Sequence, residues 1–456
     1  MKSKNNSNSW QPWLDASVSN LKQRALFRSL RPTIPGDSPV QVQVTESDLQ
    51  AWLSDSKPSY SLNKPSQTLI TVKLFSLNDY LGLSTHPDVC AAASQAALAY
   101  GNGPRSSALV GGYTCYHRDL ETALARLKGT EDALLFPTGF AANLAIVSAL
   151  ASAGDVDIFS DELNHASIID GARLGKRGDG STQLHIYRHN DMAHLDSLLR
   201  GTLTTASRTS NKRRKQLVVT DSLFSMDGDF ADLQGLAALK KKHGFLLAVD
   251  EAHATLVCGP NGEGAVASAG VEDSVDLHIG TLSKAFGAMG GFVACSIQWK
   301  DLFVNLGRAQ VFSTSLPVPV VVSALAALKV AAKEPWRRHH VHALAQRVGA
   351  GLGVQAQSPI VPVVIGGEAE TMGACTELLR RGFHVPGIRP PTVPAGTSRL
   401  RVSLSAGHST SDVDELLAAV KEVCFGTLTG GNGRGIVRSF DDEDVRGKDH
   451  VYLAKL

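Results

Sequence analysis

The 456-residue sequence predicts an α/β protein with a large, mostly parallel sheet followed by a smaller α+β domain. Three observations carry that expectation. Short apolar runs alternate with helical patterns from about residue 86 to 330. Two of those runs lead into chemically capable residues, where ligand sites of such sheets gather. After Pro335 the spacing changes to three helices and two strands.

Taken in order, residues 14–31 have helical spacing (Leu14, Leu21, Leu26, Leu30) and many basic side chains. Residues 36–70 are polar, with Pro and Ser, and read as an irregular excursion. A short strand-like run precedes Asn78-Asp-Tyr-Leu-Gly-Leu83. The strands of the large sheet are expected at 133–136, 157–159, 184–187, 217–219, 245–249, 277–279 and 291–295. The smaller domain is expected as helix 337–350, strand 360–365, helix 370–381, strand 400–404 and helix 411–424. The expected division is thus 1–75, 76–333, 334–425 and a Gly-rich, then acidic, tail 426–456.

Composition excludes several classes. At 43% apolar, 19% charged and net charge +2, no global field favours nucleic acid or an anionic membrane. Six scattered cysteines with no CxxC pair argue against zinc or a disulfide framework, so no metal is expected. No run reaches the roughly 18 apolar residues of a membrane span. The Ser/Thr-rich stretch 202–215 ends in Lys212-Arg-Arg-Lys215 and reads as a solvated loop inserted between core elements.

The chemistry concentrates at Asp250 and Lys284. Phe245-Leu-Leu-Ala-Val249 runs into Asp250-Glu-Ala-His253, and Ile279-Gly-Thr-Leu-Ser-Lys284 ends in a small-residue turn. This pattern suits pyridoxal 5′-phosphate (PLP). The lysine forms a Schiff base with its aldehyde, and the carboxylate pairs with the pyridinium nitrogen so that the ring accepts electrons. His253 is in reach of the ring's phenolic oxygen, while Thr281 and Ser283 suit the phosphate.

Several further motifs resemble those of the α-oxoamine synthases, a family of fold-type I PLP enzymes. They are Gly112-Tyr-Thr-Cys-Tyr-His117, Thr138-Gly-Phe-Ala-Ala-Asn143, Asn164-His-Ala-Ser167 and Phe224-Ser-Met-Asp-Gly-Asp229, with the Asp250 and Lys284 segments. The resemblance spans about residues 74–424. It implies a fold-type I transferase that condenses an amino acid with an acyl thioester and releases CO₂. It also implies catalytic roles for Lys284, His165 and Asp250, with His165 stacked on the pyridine face. Gly139, Phe140, Ser225, His253 and Thr281 would contact the cofactor, the first two where a helix N-terminus cradles phosphate. Asn78, Arg28, Arg389 and Thr392 would contact substrates. Arg389, in a rigid Pro-Pro context, is the candidate fork for the amino-acid carboxylate. Arg399 and Arg401, flanking a strand, are assigned to structure.

Within the family, Arg389-Pro-Pro-Thr392 resembles the branch that joins L-alanine to a pimeloyl thioester on CoA or a carrier protein. Sister members make 5-aminolevulinate, 2-amino-3-ketobutyrate or 3-ketosphinganine, and some complexes hold a non-catalytic subunit lacking the lysine. The loop Gly101–Ser107 and the sequence Asp-Glu-Ala-His-Ala depart from the usual forms, and segments 36–70 and 202–215 resemble a plant-type member. The family builds its site in a homodimer, with Phe312–Pro317 and loop 103–107 expected near the partner's cofactor. Finally, Ala454-Lys455-Leu456 resembles the Ser-Lys-Leu address read by a peroxisomal import receptor. The expected location is the peroxisome, with the cytosol as alternative or second pool.

Overall fold

The computed structural model describes residues 10–24, 26–54, 68–175, 182–203 and 214–426. The expected targeting tripeptide, most of the tail and most of loop 202–215 lie outside them. Among the described residues the chain forms two compact units. One comprises residues up to Asp37 together with Gln41–Val72, the other Ser38–Val40 and everything from Lys73 on.

The first unit corrects two expectations. Its leading helix is Gln11–Gln23, so Arg28 and Arg31 follow it rather than lie on it. The segment expected to be irregular contains strand Gln41–Thr45 and helix Glu46–Leu53. Val42 and Val44 alternate inward along the strand, a period-two pattern hidden between glutamines. Thr45 then caps the helix, its hydroxyl accepting from the Asp48 N–H at 3.1 Å.

In the second unit a seven-stranded sheet is formed by β1 (Asp132–Phe136), β2 (Val156–Asp161), β3 (Gln183–Tyr187), β4 (Lys215–Asp221), β5 (Leu246–Asp250), β6 (Leu277–Thr281) and β7 (Gly291–Cys295). Its order is β1-β7-β6-β5-β4-β2-β3. Only β7 runs antiparallel to its neighbours, as a mostly parallel sheet requires. Five of the strands are buried along their whole length or nearly so, which is why they read as continuous apolar runs. The register pairs Asp221 with Asp250, and Gly291 with both Thr281 and Phe136. The carboxyl ends of β1, β4, β5 and β6 therefore converge on one edge.

Two helices press on this edge. Helix α1 (Gly139–Ala151) follows β1, and α2 (Ala166–Gly175) follows β2. They touch through glycine: a Cβ on Gly171 would stand 2.9 Å from Val147 Cβ, and one on Gly175 only 2.1 Å from Ala151 Cβ. That contact fixes α2 and the residues that lead into it.

Of the expected solvated loop, Arg214 proves buried. Its Nε donates to Asp157 Oδ2 at 2.8 Å, and a terminal nitrogen donates to the Val156 carbonyl at 3.0 Å. Asp157 also meets His185 Nε2 at 3.0 Å. A carboxylate at the start of β2 thus draws one arginine of the basic run into the core.

The C-terminal part adds a three-stranded sheet, β8 (Ile360–Gly366), β9 (Gly387–Ile388) and β10 (Ser398–Ser403), in the order β8-β10-β9. Helices Trp336–Leu352, Glu368–Arg380 and Thr410–Phe425 accompany it, as expected from the spacing. The turn Ser225–Asp229, which follows β4, is bound to this second sheet. Ser358 Oγ donates to the Gly228 carbonyl at 2.8 Å, Arg399 pairs with Asp227, and Arg401 Nε donates to the Ser225 carbonyl. Gly228 has φ +69°, and a Cβ there would lie 2.1 Å from the Ile360 carbonyl oxygen, so glycine is required.

The same turn is clamped to the large sheet by His189. Its Nδ1 lies 3.0 Å from Asp161 Oδ1 and its Nε2 2.8 Å from Asp229 Oδ2. Burial alone would lower its pKa, but hydrogen bonds to the two carboxylates outweigh it and raise the value to about 10. The raised value stabilises the fold fully below the unfolded pKa of about 6.5 and is lost as pH rises through about 10. His189→Gln in the cofactor-free protein should therefore be less stable by about 1–3 kcal/mol at pH 6. The gap should shrink steadily towards pH 10 in denaturant melts; a pH-independent gap contradicts a charged clamp.

Candidate active site

Lys284 lies in a loop that closes on itself. The Leu282 N–H donates to the Gly290 carbonyl at 2.9 Å, Ala288 N–H to Leu282 at 3.0 Å and Gly287 N–H to Lys284 at 2.8 Å. The Thr281 hydroxyl, buried at the end of β6, donates to the Gly290 carbonyl at 2.9 Å and sits 2.8 Å from Ser283 Oγ. Burial lowers the Lys284 pKa, with Arg401 adding to the effect, while Asp250 and Asp221 oppose it.

Asp250 ends β5 and is buried. Its Oδ1 accepts the Ala252 N–H at 2.8 Å and its Oδ2 accepts Asn143 Nδ2 at 2.6 Å. Asp221 ends the neighbouring β4, with Oδ2 accepting the His165 backbone N–H at 3.1 Å. Burial, and then the charge of Asp250 beside it, push the Asp221 pKa well up. Asp221 shares the strand-end position of Asp250 but was not singled out from the sequence.

His165 is delivered by Asn164, whose Nδ2 donates to Ser160 Oγ and the Val219 carbonyl, each at 2.8 Å. Asn164 Oδ1 accepts the Asp221 N–H at 2.8 Å, so one amide joins the ends of β2 and β4. The His165 ring meets Phe140 edge-on, with centroids 6.1 Å apart, and its Nδ1 lies 2.7 Å from Ser167 Oγ. Crowding by the protein lowers its pKa; Asp250 opposes and Lys284 reinforces the effect.

His253 is buried, with Nδ1 2.6 Å from the Tyr80 hydroxyl. Burial, then the charges of Lys284 and Arg401, hold it well below the ordinary imidazole range, so it is neutral at pH 7. Burial raises Tyr80 to about 12. Gly139 opens α1 beside β6: a Cβ there would stand 2.9 Å from Thr281 Cβ. Thr138 caps this helix by accepting the Ala141 N–H at 3.0 Å, which leaves the first-turn N–H groups of Gly139 and Phe140 pointing out of the helix end.

Arg401, assigned to structure from the sequence, belongs to this constellation. It is buried in β10, and its guanidinium donates to Ser403 Oγ at 3.0 Å and to Asn78 Oδ1 at 3.4 Å. Among the described residues no carboxylate lies within ion-pair reach of it, unlike Arg399, which pairs with Asp227. Its charge acts on Lys284, His253 and Tyr80. Arginine inside a buried strand is the signal that should have marked it.

Ser225 is half-buried in its turn. Arg389 is half-buried and Thr392 exposed in the loop before β10, where the Thr392 N–H donates to the Arg389 carbonyl at 3.0 Å. Arg28 is exposed in the first unit.

Known proteins share this architecture. The sequence pattern of aminotransferase class I and II matches residues 71–420. The 8-amino-7-oxononanoate synthase of Arabidopsis thaliana is 44% identical, over 90% of this chain and 95% of that protein. Serine palmitoyltransferase of Sphingomonas wittichii superposes with TM-score 0.76 at 30% identity, covering 92% of this chain and 98% of that one. A serine palmitoyltransferase from S. paucimobilis with a PLP–myriocin adduct bound gives TM-score 0.77 at 28% identity, covering 91% and 98%. With similarity across nearly its whole length and the lysine, aspartates and histidines assembled at one sheet edge, this chain belongs to the aminotransferase class I and II family and, within it, to the family of the 8-amino-7-oxononanoate synthases.

Proposed function

We propose that this protein is a PLP-dependent acyltransferase that condenses L-alanine with a pimeloyl thioester, giving 8-amino-7-oxononanoate, free thiol and CO₂ for biotin synthesis. The observation that carries the reading is Lys284, half-buried in a closed loop and sharing its surroundings with Asp250, Asp221 and Arg401. The residues fit PLP. A helix N-terminus beside Thr281 suits a phosphate, a buried carboxylate suits a pyridinium, and a neutral buried histidine suits a phenolic oxygen. When bound, PLP supplies an electron sink for the pair left at the alanine Cα.

Each protein group has a defined task. Lys284 tethers the cofactor and, with its pKa lowered by burial, takes the proton from Cα once alanine has displaced it. Asp250 would hold the pyridine nitrogen. His165 would cover the ring face and donate to the acyl oxygen as the alanine Cα bonds to the thioester carbon and the C–S bond breaks. The Cα–carboxylate bond then breaks, CO₂ leaves, and the protonated Lys284 returns its proton to Cα. Gly139, Phe140, Thr281 and Ser225 would hold the phosphate end, and His253 the phenolic side. Asn78 lines the substrate side beside Arg401, and we assign Arg401 to the alanine carboxylate because it is buried with no ionic partner among the described residues. Arg389 and Thr392 are the further substrate contacts that the family resemblance implies.

The test is a panel of amino acids against acyl thioesters, with CO₂ and thiol followed. With L-alanine fixed, pimeloyl thioester should exceed acetyl, succinyl and palmitoyl thioesters by at least about tenfold in kcat/KM. Preference for serine with palmitoyl thioester, or glycine with a short acyl group, would move the protein to a sister activity. Absence of any visible band after PLP loading would favour a non-catalytic subunit.

Two wider readings go with this one. A homodimer is supported by exposed apolar side chains at Leu109, Val110, Phe140, Met289 and Phe312. Ser107 bridges Thr314, so the 103–107 and 312–317 segments form one surface. Sedimentation should give the mass of two chains. Peroxisomal import is read from Ala454-Lys455-Leu456. A fluorescent protein ending in residues 426–456 should become punctate with peroxisomes, and removing the last three residues should disperse it. An intact fusion that stays diffuse returns the protein to the cytosol.

A further inference from the structure

Asn143 is a buried amide within α1, a helix otherwise built almost entirely of apolar residues. Asparagine is a weak helix former, and its Oδ1 is buried without a hydrogen-bond partner among the described residues. Both features disfavour folding, so stability does not explain the residue. Its Nδ2 does: it donates to Asp250 Oδ2 at 2.6 Å and to Ser167 Oγ at 3.0 Å. The amide orientation follows from chemistry, because only the NH₂ end can face a carboxylate.

The chain of bonds has one direction. Having received an N–H from Asn143, the Ser167 hydroxyl has its own proton to give, and His165 Nδ1 lies 2.7 Å away. The Ser167 backbone N–H also points at Nδ1, at 3.3 Å. Two donors aimed at Nδ1 make it the acceptor, and the ring proton is confined to Nε2. Asp221 fixes the same residue from the other side through the His165 backbone N–H.

We propose that Asn143 is a positioning residue that locks Asp250 to Ser167 and, through Ser167, sets the ring orientation and tautomer of His165. The carboxylate that meets the pyridine nitrogen and the imidazole that covers its face then form one rigid relay. This inference rests on the proposed PLP site. A wild-type protein that loads no PLP would sink that site, whereas wild-type loading with unaltered variants would sink the relay alone.

The experiment compares full-length wild type, Asn143→Ala, Ser167→Ala and the double variant. In the cofactor-free proteins, ¹⁵N shifts of His165, assigned with His165→Gln, read the tautomer without PLP. Wild type should show Nδ1 unprotonated and both single variants a tautomer mixture. On titration with PLP, Asn143→Ala should bind about tenfold more weakly, the scale of one hydrogen bond to a charged group. The pH midpoint of its visible band should move as well. Ser167→Ala should keep PLP affinity within about twofold yet shift the pH profile of kcat, and the double variant should shift it no further than Asn143→Ala. Wild-type PLP affinity, pH midpoint and tautomer in Asn143→Ala would overturn the proposal, as would additive shifts. If Asn143→Ala does not fold, Ser167→Ala decides: an unchanged His165 tautomer and pH profile overturn the relay.

Discussion

Lys284→Ala should leave a folded protein whose turnover is lower by at least about 10⁴-fold, the upper end of what one positioned proton-transfer group supplies. Three facts set the size of this effect. The lysine's backbone sits in a loop closed by the Leu282–Gly290 and Lys284–Gly287 bonds, so the point from which the side chain springs is fixed before substrate arrives. Burial lowers its pKa against the pull of two carboxylates, which leaves more of it as free amine near neutral pH than in an exposed lysine. Two other basic side chains near it cannot substitute: Arg401 stays protonated and has no free site to accept a proton, and His253 is held by the Tyr80 hydroxyl. The visible band of the PLP-loaded protein should disappear with turnover, while the thermal midpoint of the cofactor-free protein should stay within a few degrees. Turnover within tenfold of wild type would remove Lys284 from the mechanism.

Arg401→Leu should raise KM for L-alanine by about 10²-fold, since truncating one partner of a buried, hydrogen-bonded charge pair costs about 2–5 kcal/mol. The guanidinium is buried, already oriented by Ser403 and the Ser225 carbonyl, and has no carboxylate of the described chain to neutralise it. A bound α-carboxylate would supply that charge. Arg389→Leu is the matched comparison, because Arg389 is the arginine that the Pro-Pro context singles out. Its KM for alanine should change less than that of Arg401→Leu. An equal or larger change in Arg389→Leu would return the α-carboxylate to Arg389. Arg401→Lys should recover little, because a point charge cannot reproduce a two-pronged contact.

What the sequence discloses follows from what each residue does locally. Five of the seven strands were legible because strands buried on both faces must be apolar along their length. Asp250 and Lys284 were legible because each closes such a run with a residue that cannot be there for packing. Asp221 carried the same signal, at the end of Leu217-Val-Val-Thr-Asp221, and was passed over for want of a lysine or histidine close behind it. Arg401 was hidden by an alternating Arg-Leu-Arg-Val-Ser strand that looks half-exposed, whereas all six residues of β10 are buried. Asn143 was hidden more deeply. Its partners are Asp250 and Ser167, brought together only by the packing of α1 against α2 and β5. In the first unit, Val42 and Val44 were masked by the glutamines between them.

The turn at residues 225–229 bears on how this protein can be recombined with its relatives. In chain order it belongs to the large sheet, yet Ser358, Arg399 and Arg401 grip it from the C-terminal part, more than a hundred residues downstream. A chimaera spliced at Pro335, the obvious seam in the sequence, would separate these gripping residues from the turn they evolved to hold. An exchange meant to import another relative's substrate choice should carry residues 225–229 along with the C-terminal segment, as a single inheritable cassette in two pieces.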